Sequence, residues 1–242
     1  MVGNLKLSDQ ERWDVLAARH GILNARPEYD EEGNLVILDL SREIDPISGQ
    51  LQTLNGETDQ LPILPPGIGQ FTNLIELNLR RTQLAELPPE IGQLTNLNIL
   101  NLSNNRLAQL PADIARLTNL RDLYLSDNEL TQYPPNIRQL SNLQAIDLAG
   151  NQLTQLPPEI GQLTNLQFLR LDGNQLTQLP PEIGQLTNLQ FLIWDGNQLP
   201  PEIGQLTNLQ FLSWSNKRLA HLPHEIWQLT NLQDLHLMDN QL

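Results

Sequence analysis

The sequence repeats itself. The pattern L-x-x-L-x-L-x-x-N-x-L starts at Leu97, Leu120, Leu143, Leu166 and Leu189, each 23 residues after the last, and Leu74 opens a further copy upstream. A fixed period of this length limits the possible folds more than any composition does. Each copy is one supersecondary unit that cannot bury its own apolar face, so neighbouring copies must stack into a coil with a continuous core. After Leu189 the next copies start at Leu209 and Leu232, spacings of 20 and 23, so one copy is three residues short. Comparing NQLTQLPPEI (174–183) with NQLPPEI (197–203) places the loss just before the Pro-Pro pair. Leu35-Val-Ile-Leu38-Asp-Leu40 reads as an earlier strand, 39 residues before Leu74, and 41–58 carries the 16 residues in excess of one period. Nine strands are expected.

Within one copy, Leu166-Gln-Phe-Leu169-Arg-Leu171, the period-2 alternation sends Leu169 and Leu171 one way and Phe168 and Arg170 the other. After Asn174, apolar residues at 176, 179, 183 and 186 are spaced by three or four, which suits a short helical or extended return path. The lattice explains a biased composition, since 52 Leu, 25 Gln and 24 Asn make up 101 of 242 residues. Each added strand advances the coil by ~4.8 Å, so nine strands span ~38 Å of inner arc.

Leu110-Pro111, Ile114, Leu117, Leu120, Leu123, Leu125, Asn128 and Leu130 show the whole repeat in one copy, with L-P-x-x-I-x-x-L-x-x-L in its second half. Over about 35–242 this resembles the leucine-rich repeat family, specifically its 23-residue intracellular (Ras-group) class. The resemblance implies an α/β solenoid: a curved horseshoe with parallel strands on the concave face and short helical or 3-10 segments on the convex face. It also implies a protein-binding surface or scaffold, similar to the repeat regions of Roco-type GTPases and Ras-pathway scaffolds.

Two polar columns have structural explanations. Asn105, Asn128, Asn151, Asn174, Asn197 and Asn240 stand where the chain leaves each strand, and a side-chain amide there satisfies buried backbone donors and acceptors together. Thr82 and Lys217 replace it in two copies; Lys217 cannot accept, so an irregular turn after Trp214 is expected, with Asn216 substituting. Glu90, Asp113, Glu159, Glu182, Glu202 and Glu225 follow prolines, as acids do at the start of short helices. Trp194 and Trp214 occupy core leucine positions flanking the shortened copy, where an indole can refill the volume of a lost leucine.

Residues 1–34 are expected to form an N-terminal helical cap on a solenoid at 35–242, one structural domain. Ser8-Asp9-Gln10-Glu11 has capping-box spacing, and a helix over about 9–19 carries Trp13, Leu16 and Ala17 on one side, with Gly21 as its stop. With Pro27 and a turn at Asp30–Asn34 it reads as a lid over the first copy, a partner-docking helix being the alternative. The sequence ends at Leu242 before the return segment of its last copy, so no C-terminal cap is expected. Excision from a longer protein or burial in an oligomer would each explain that. A monomer is the favoured expectation, with weak association through the uncapped end as the alternative.

On the inner face the copies differ. The third positions run Ile37, Glu76, Ile99, Asp122, Ala145, Phe168, Phe191, Phe211, Asp234, and the fifth run Asp39, Asn78, Asn101, Tyr124, Asp147, Arg170, Ile193, Ser213, His236. Phe168, Phe191 and Phe211 with Ile193 form an apolar strip rimmed by Arg170, Asp172, Asp195, Ser213 and His236, with Tyr124 farther along the same face. An apolar centre with a polar rim is the anatomy of an interface. The competing explanation is that near-identical copies duplicated the ring and the phenyls merely stack.

Other functions are disfavoured. Lys and Arg number 14 against 28 Asp and Glu, and the net charge of −14 repels the phosphate backbone that a nucleic-acid binder must neutralise. With no Cys there is no thiolate nucleophile or zinc thiolate, and a reducing, cytoplasmic setting is expected. No phosphate loop, nucleophile elbow or H-E-x-x-H occurs; His221-Leu-Pro-His224-Glu225 lacks the three or four converging ligands of a metal site. The expectation is a non-catalytic module without cofactor, binding another protein or another domain of its parent, and neither nucleic acid nor membrane.

Overall fold

The computed structural model describes residues 7–20, 25–41, 63–215 and 222–238. The expectations attached to Gly21, to most of 41–58, to Asn216 and Lys217, to His221 and to Asn240 lie outside these residues.

One open ten-stranded sheet runs in chain order. Its strands are β1 (Arg26–Tyr29), β2 (Leu35–Asp39), β3 (Glu76–Asn78), β4 (Ile99–Asn101), β5 (Asp122–Tyr124), β6 (Ala145–Asp147), β7 (Phe168–Arg170), β8 (Phe191–Trp194), β9 (Phe211–Trp214) and β10 (Asp234–His236). The nine repeat strands β2–β10 are all parallel, in a register that puts each third position beside the next: Asp122 by Ala145, Phe168 by Phe191, Phe191 by Phe211. The tenth strand, β1, is a departure from the sequence-based expectation. It pairs antiparallel with β2 and so joins the first segment to the sheet. Pro27 is tolerated because β1 is an edge strand, where a missing N–H removes no ladder bond.

The return path is 3-10 helix, in eight five-residue segments among the described residues, from Pro66–Gln70 to His224–Gln228. Prolines dictate this: each segment has Pro as N-cap in extended geometry, and six continue with a second Pro at the start of the helix. The fixed φ of Pro suits the first turn, where its missing N–H has no partner to lose. The column Glu90, Asp113, Glu159, Glu182, Glu202 and Glu225 lies in these first turns as expected, without forming side-chain caps.

Between sheet and 3-10 helices lies a single core in which Leu97, Leu100, Leu102, Leu120, Leu123, Leu125 and their counterparts are wholly buried. Full burial of each such leucine stabilises by roughly 1.5–3 kcal/mol. At the N-terminal end, α1 (Asp9–His20) starts with the expected capping box: the Ser8 N–H donates to Glu11 Oε2 at 2.8 Å and the Glu11 N–H to Ser8 Oγ at 3.2 Å. Trp13 is buried edge-on against Phe71, ring centroids 6.0 Å apart, and the Leu35 N–H donates to Asp9 Oδ2 at 3.0 Å. The helix therefore covers the core at β2.

Candidate functional site: the concave face of β5–β10

The asparagine column holds the site's frame. Asn128 is buried; its Nδ2 donates to the Leu102 and Leu125 carbonyls at 2.9 and 3.1 Å, while its Oδ1 accepts from Leu107 N–H at 3.0 Å. Asn105, Asn151 and Asn174 repeat this pattern. Thr82 replaces the amide by donating Oγ1 to Leu79 O at 2.8 Å. Asn197, the next asparagine of the sequence column, is exposed. A second asparagine ladder escaped the sequence reading. From Asn96 to Asn231, the Asn preceding each strand donates Nδ2 to a Thr or Ser carbonyl of the previous copy, at 2.6–2.9 Å. The recurring Thr-Asn-Leu and Ser-Asn-Leu triplets were its signal.

Two indoles flank Asn197 in the chain. Trp194 and Trp214 are paired in register and almost completely buried. A bridge between Gln178 and Gln198 aligns Leu199 with Leu179, so the leucine lost from the short copy is the counterpart of Leu176. The Trp214 Nε1–H donates to Gly196 O at 2.8 Å. A Cβ on Gly196 would collide with the Trp194 indole, so this glycine is there to admit the ring.

At the fifth position, Asp39, Asn78, Asn101 and Asp147 share a local task. Each side-chain oxygen accepts the N–H two residues on, at 2.8–3.2 Å, turning the chain out of its strand. Of the side chains singled out from the sequence, Tyr124, Arg170, Ile193 and His236 are not of the residue types that make this turn, and Ser213 does not make it, since the Ser215 N–H donates to Trp194 O at 3.2 Å. The structure thus separates the column into turn-forming and open members, which sequence spacing alone did not do.

The three phenyl rings stand side by side and also stack. Ring centroids are 6.4 Å apart from Phe168 to Phe191 and 6.0 Å from Phe191 to Phe211, and the His236 imidazole stands edge-on to Phe211 at 4.9 Å. Packing and exposure coexist: Phe191 keeps 39% of its surface in solvent while touching both neighbours. Ile193 and Ser213 are half-buried beside it, and His236 is exposed.

The rim is negative. Arg170 is gripped by Asp172, Nε to Oδ1 at 2.7 Å and the second guanidinium nitrogen to Oδ2 at 3.1 Å, with Asp147 Oδ2 at 3.8 Å. The bond to Asp172 holds Arg170 above its usual pKa. Asp195 accepts the Gly173 N–H at 2.7 Å; its own burial raises its pKa, against that bond and with the Asp172 charge. Burial likewise raises Asp122 and Asp147. Tyr124 lies two strands before Arg170, in register with Asp147 between them, and so borders the strip rather than joining it. Burial, and then the charges of Asp122 and Asp147, raise its hydroxyl.

Comparison with known proteins agrees with this geometry. The family model described as a leucine-rich repeat region matches residues 66–149 and 113–194. No curated protein matches the sequence. Among solved structures, a leucine-rich repeat protein of Leptospira interrogans is 38% identical with a TM-score of 0.53, over 79% of this chain and 62% of its own. Internalin C2 of Listeria monocytogenes is 28% identical with a TM-score of 0.66, over 78% and 80%. The ectodomain of the Arabidopsis receptor kinase HAESA, in complex with an N-terminally extended IDA peptide hormone ligand, is 28% identical with a TM-score of 0.68, over 88% and 36%. The chain thus spans less than two thirds of the Leptospira and HAESA structures. Among the described residues no helix is long and apolar enough to cross a membrane.

Proposed function

The chain belongs to the leucine-rich repeat family, and from that premise we propose that it is a non-catalytic binding module whose concave face takes a protein segment on the Phe168–Phe191–Phe211 strip. The observation that carries this reading is Phe191. A phenyl ring 39% exposed at the middle of a rigid sheet, between two further rings, costs solvation in the free protein and gains it back on contact with an apolar partner. HAESA, at 28% identity, supports the mode, since its repeat ectodomain was solved with a peptide. Arg170, Asp172, Asp195, Ser213 and His236 form the rim, Ile193 extends the apolar centre, and Tyr124 marks the far border.

The test is selection from a displayed random-peptide library on immobilised wild-type protein. Enriched binders should lose at least tenfold in affinity on Phe191→Asp, with the melting temperature unchanged. Binders that survive the substitution, or a library that yields none dependent on Phe191, reject the strip as the site.

The setting belongs to the same proposal. A cysteine-free chain suits the cytoplasm, and its 23-residue L-P-x-x-I pattern supports a place in the intracellular class. Fractionation of source cells tests the compartment. The second reading is a regulatory or oligomerisation segment of a larger signalling protein such as a Roco-type GTPase; a phosphate loop in the adjoining coding sequence would favour it.

A further inference from the structure

The occupant can be narrowed by chemistry, on the premise that the strip is the site. The third-position column reads Asp122, Ala145, Phe168, Phe191, Phe211, Asp234 in unbroken strand register. Three apolar rings are therefore bracketed in one line by a carboxylate at each end. The line crosses the strands, along the axis of the solenoid.

The spacing of the rings bears on what lies along that line. Successive ring centroids are 6.4 and 6.0 Å apart. In an extended chain, side chains on one face recur every second residue, ~6.6 Å apart. A helix would instead bring its near face round every three or four residues, ~5–6 Å along its axis, but needs a groove ~10 Å wide, which a single row of rings does not provide. An extended segment thus sets residues i, i+2 and i+4 over the three rings with little drift.

The charges select the ends. Asp122 stands two strands before Phe168, ~10 Å, and Asp234 one strand after Phe211, ~5 Å, both within reach of a long basic side chain leaving the neighbouring alternate position. The face carries Asp122, Asp147, Asp172, Asp195 and Asp234; of the cations near them, Arg170 is already held by Asp172 at 2.7 Å and Arg121 lies next to Asp122, offsetting part of its charge. The chain as a whole is at −14. A glutamate at either end of the guest would meet like charge, whereas a lysine would meet a carboxylate.

We propose that the strip binds an extended segment of alternating apolar residues flanked by a basic residue at both ends, of the form basic-x-apolar-x-apolar-x-apolar-x-basic. Asp122 and Asp234 receive the ends, and Phe168, Phe191 and Phe211 the centre.

Two synthetic nonapeptides test it: Lys-Ser-Leu-Ser-Leu-Ser-Leu-Ser-Lys, and the same sequence with Glu at both ends. Binding is measured by fluorescence anisotropy at 50 and 500 mM NaCl. The lysine-ended peptide should bind at least tenfold tighter at low salt, and the advantage should shrink at high salt. The double variant D122K/D234K should reverse the preference; D122N/D234N, which adds no charge, should only erase it, and serves if the reversal variant folds poorly. Equal binding of both peptides, each lost on Phe191→Asp, would overturn the charge rule and leave the strip standing. Failure of both peptides while the random library still yields Phe191-dependent ligands would overturn the pattern as a whole. Failure of the library as well would remove the strip, and this inference with it.

Discussion

From β4 to β7 an amide of the turn column ties each copy to the one before it, whereas at β8 and β9 a pair of indoles fills the core beside that turn. The first half solves the turn with polar atoms: Asn105, Asn128, Asn151 and Asn174 each bond backbone groups of two copies. The backbone conforms, with one column of residues in the left-handed region, Arg81, Asn104, Asp127, Gly150 and Gly173, at φ between 55° and 70°, and Gln83 joining it in the first of these copies. In the second half the deletion removes a leucine, Asn197 moves to the surface, and Gly196 leaves the left-handed set to lie under Trp194. The inner face changes one strand earlier: the Asx turn is made as far as Asp147 on β6, with Tyr124 the exception, and Arg170, Ile193, Ser213 and His236 follow from β7 onward. A regular lattice thus carries the first half, and the departures from it coincide with the candidate site.

The largest effect expected from breaking this contrast is at Asn128. Asn128→Ala would strand the Leu107 N–H in the core and remove one of the two amide donors to each of the Leu102 and Leu125 carbonyls, which keep Asn105 and Asn151; with about 1–3 kcal/mol for the unsatisfied N–H and about 1 kcal/mol for each lost bond, a loss of about 3–5 kcal/mol is expected. Asn197→Ala, at an exposed site, should cost clearly less. Denaturant unfolding of both variants measures this, and equal losses would mean that the two halves are held in the same way.

Next comes Trp194→Leu, which reopens the volume left by the missing counterpart of Leu176. A loss of about 2–3 kcal/mol is expected, with peptide affinity unchanged. An unaltered melting temperature would sink the compensation account. Gly196→Ala should cost somewhat less, about 1–2 kcal/mol, by pressing its methyl into the indole. Combined with Trp194→Leu that cost should largely disappear, because the clashing partner is gone.

The extent to which this was visible beforehand follows from where the information sits. The leucine lattice, the strand register and the inner-face columns are periodic in sequence, so Leu97 to Leu232 and Phe168 to Phe211 could be placed by counting. The capping box at Ser8 and Glu11 was legible because it is local. β1 was not: Arg26–Tyr29 is only four residues long, contains a proline, and becomes a strand only by pairing with β2. Nor could spacing show that Asp147 accepts its own Ala149 N–H while Arg170 reaches Asp172, since identical column positions carry opposite tasks. The ring angles and the grip on Arg170 are side-chain geometry, which a repeat pattern does not encode.

The smallest expected effect lies at the seam between the halves. Burial raises the Asp147 carboxyl above its ordinary value of 3.8, outweighing the Ala149 N–H bond and the Arg170 charge that pull it down. An acid with a raised folded pKa holds its proton in the native state at pH values where the unfolded chain has lost it. Stability therefore falls as pH rises from about 3.8 through the folded value, and the penalty is fully present above it. Asn101, at the same position of an earlier copy, makes the same turn with an amide oxygen, 3.0 Å from the Ser103 N–H. D147N should keep the turn and lose the penalty, so it is expected to be slightly more stable than wild type at pH 7, with the gap closing as pH approaches 3.8. Melting temperatures of the pair between pH 3.5 and 7 decide it. A variant less stable at pH 7, with the gap closing in acid, would mean that the charge of Arg170 outweighs burial. The seam would then be held by the ion pair, and Arg170 would belong to the frame of the site rather than to its binding surface.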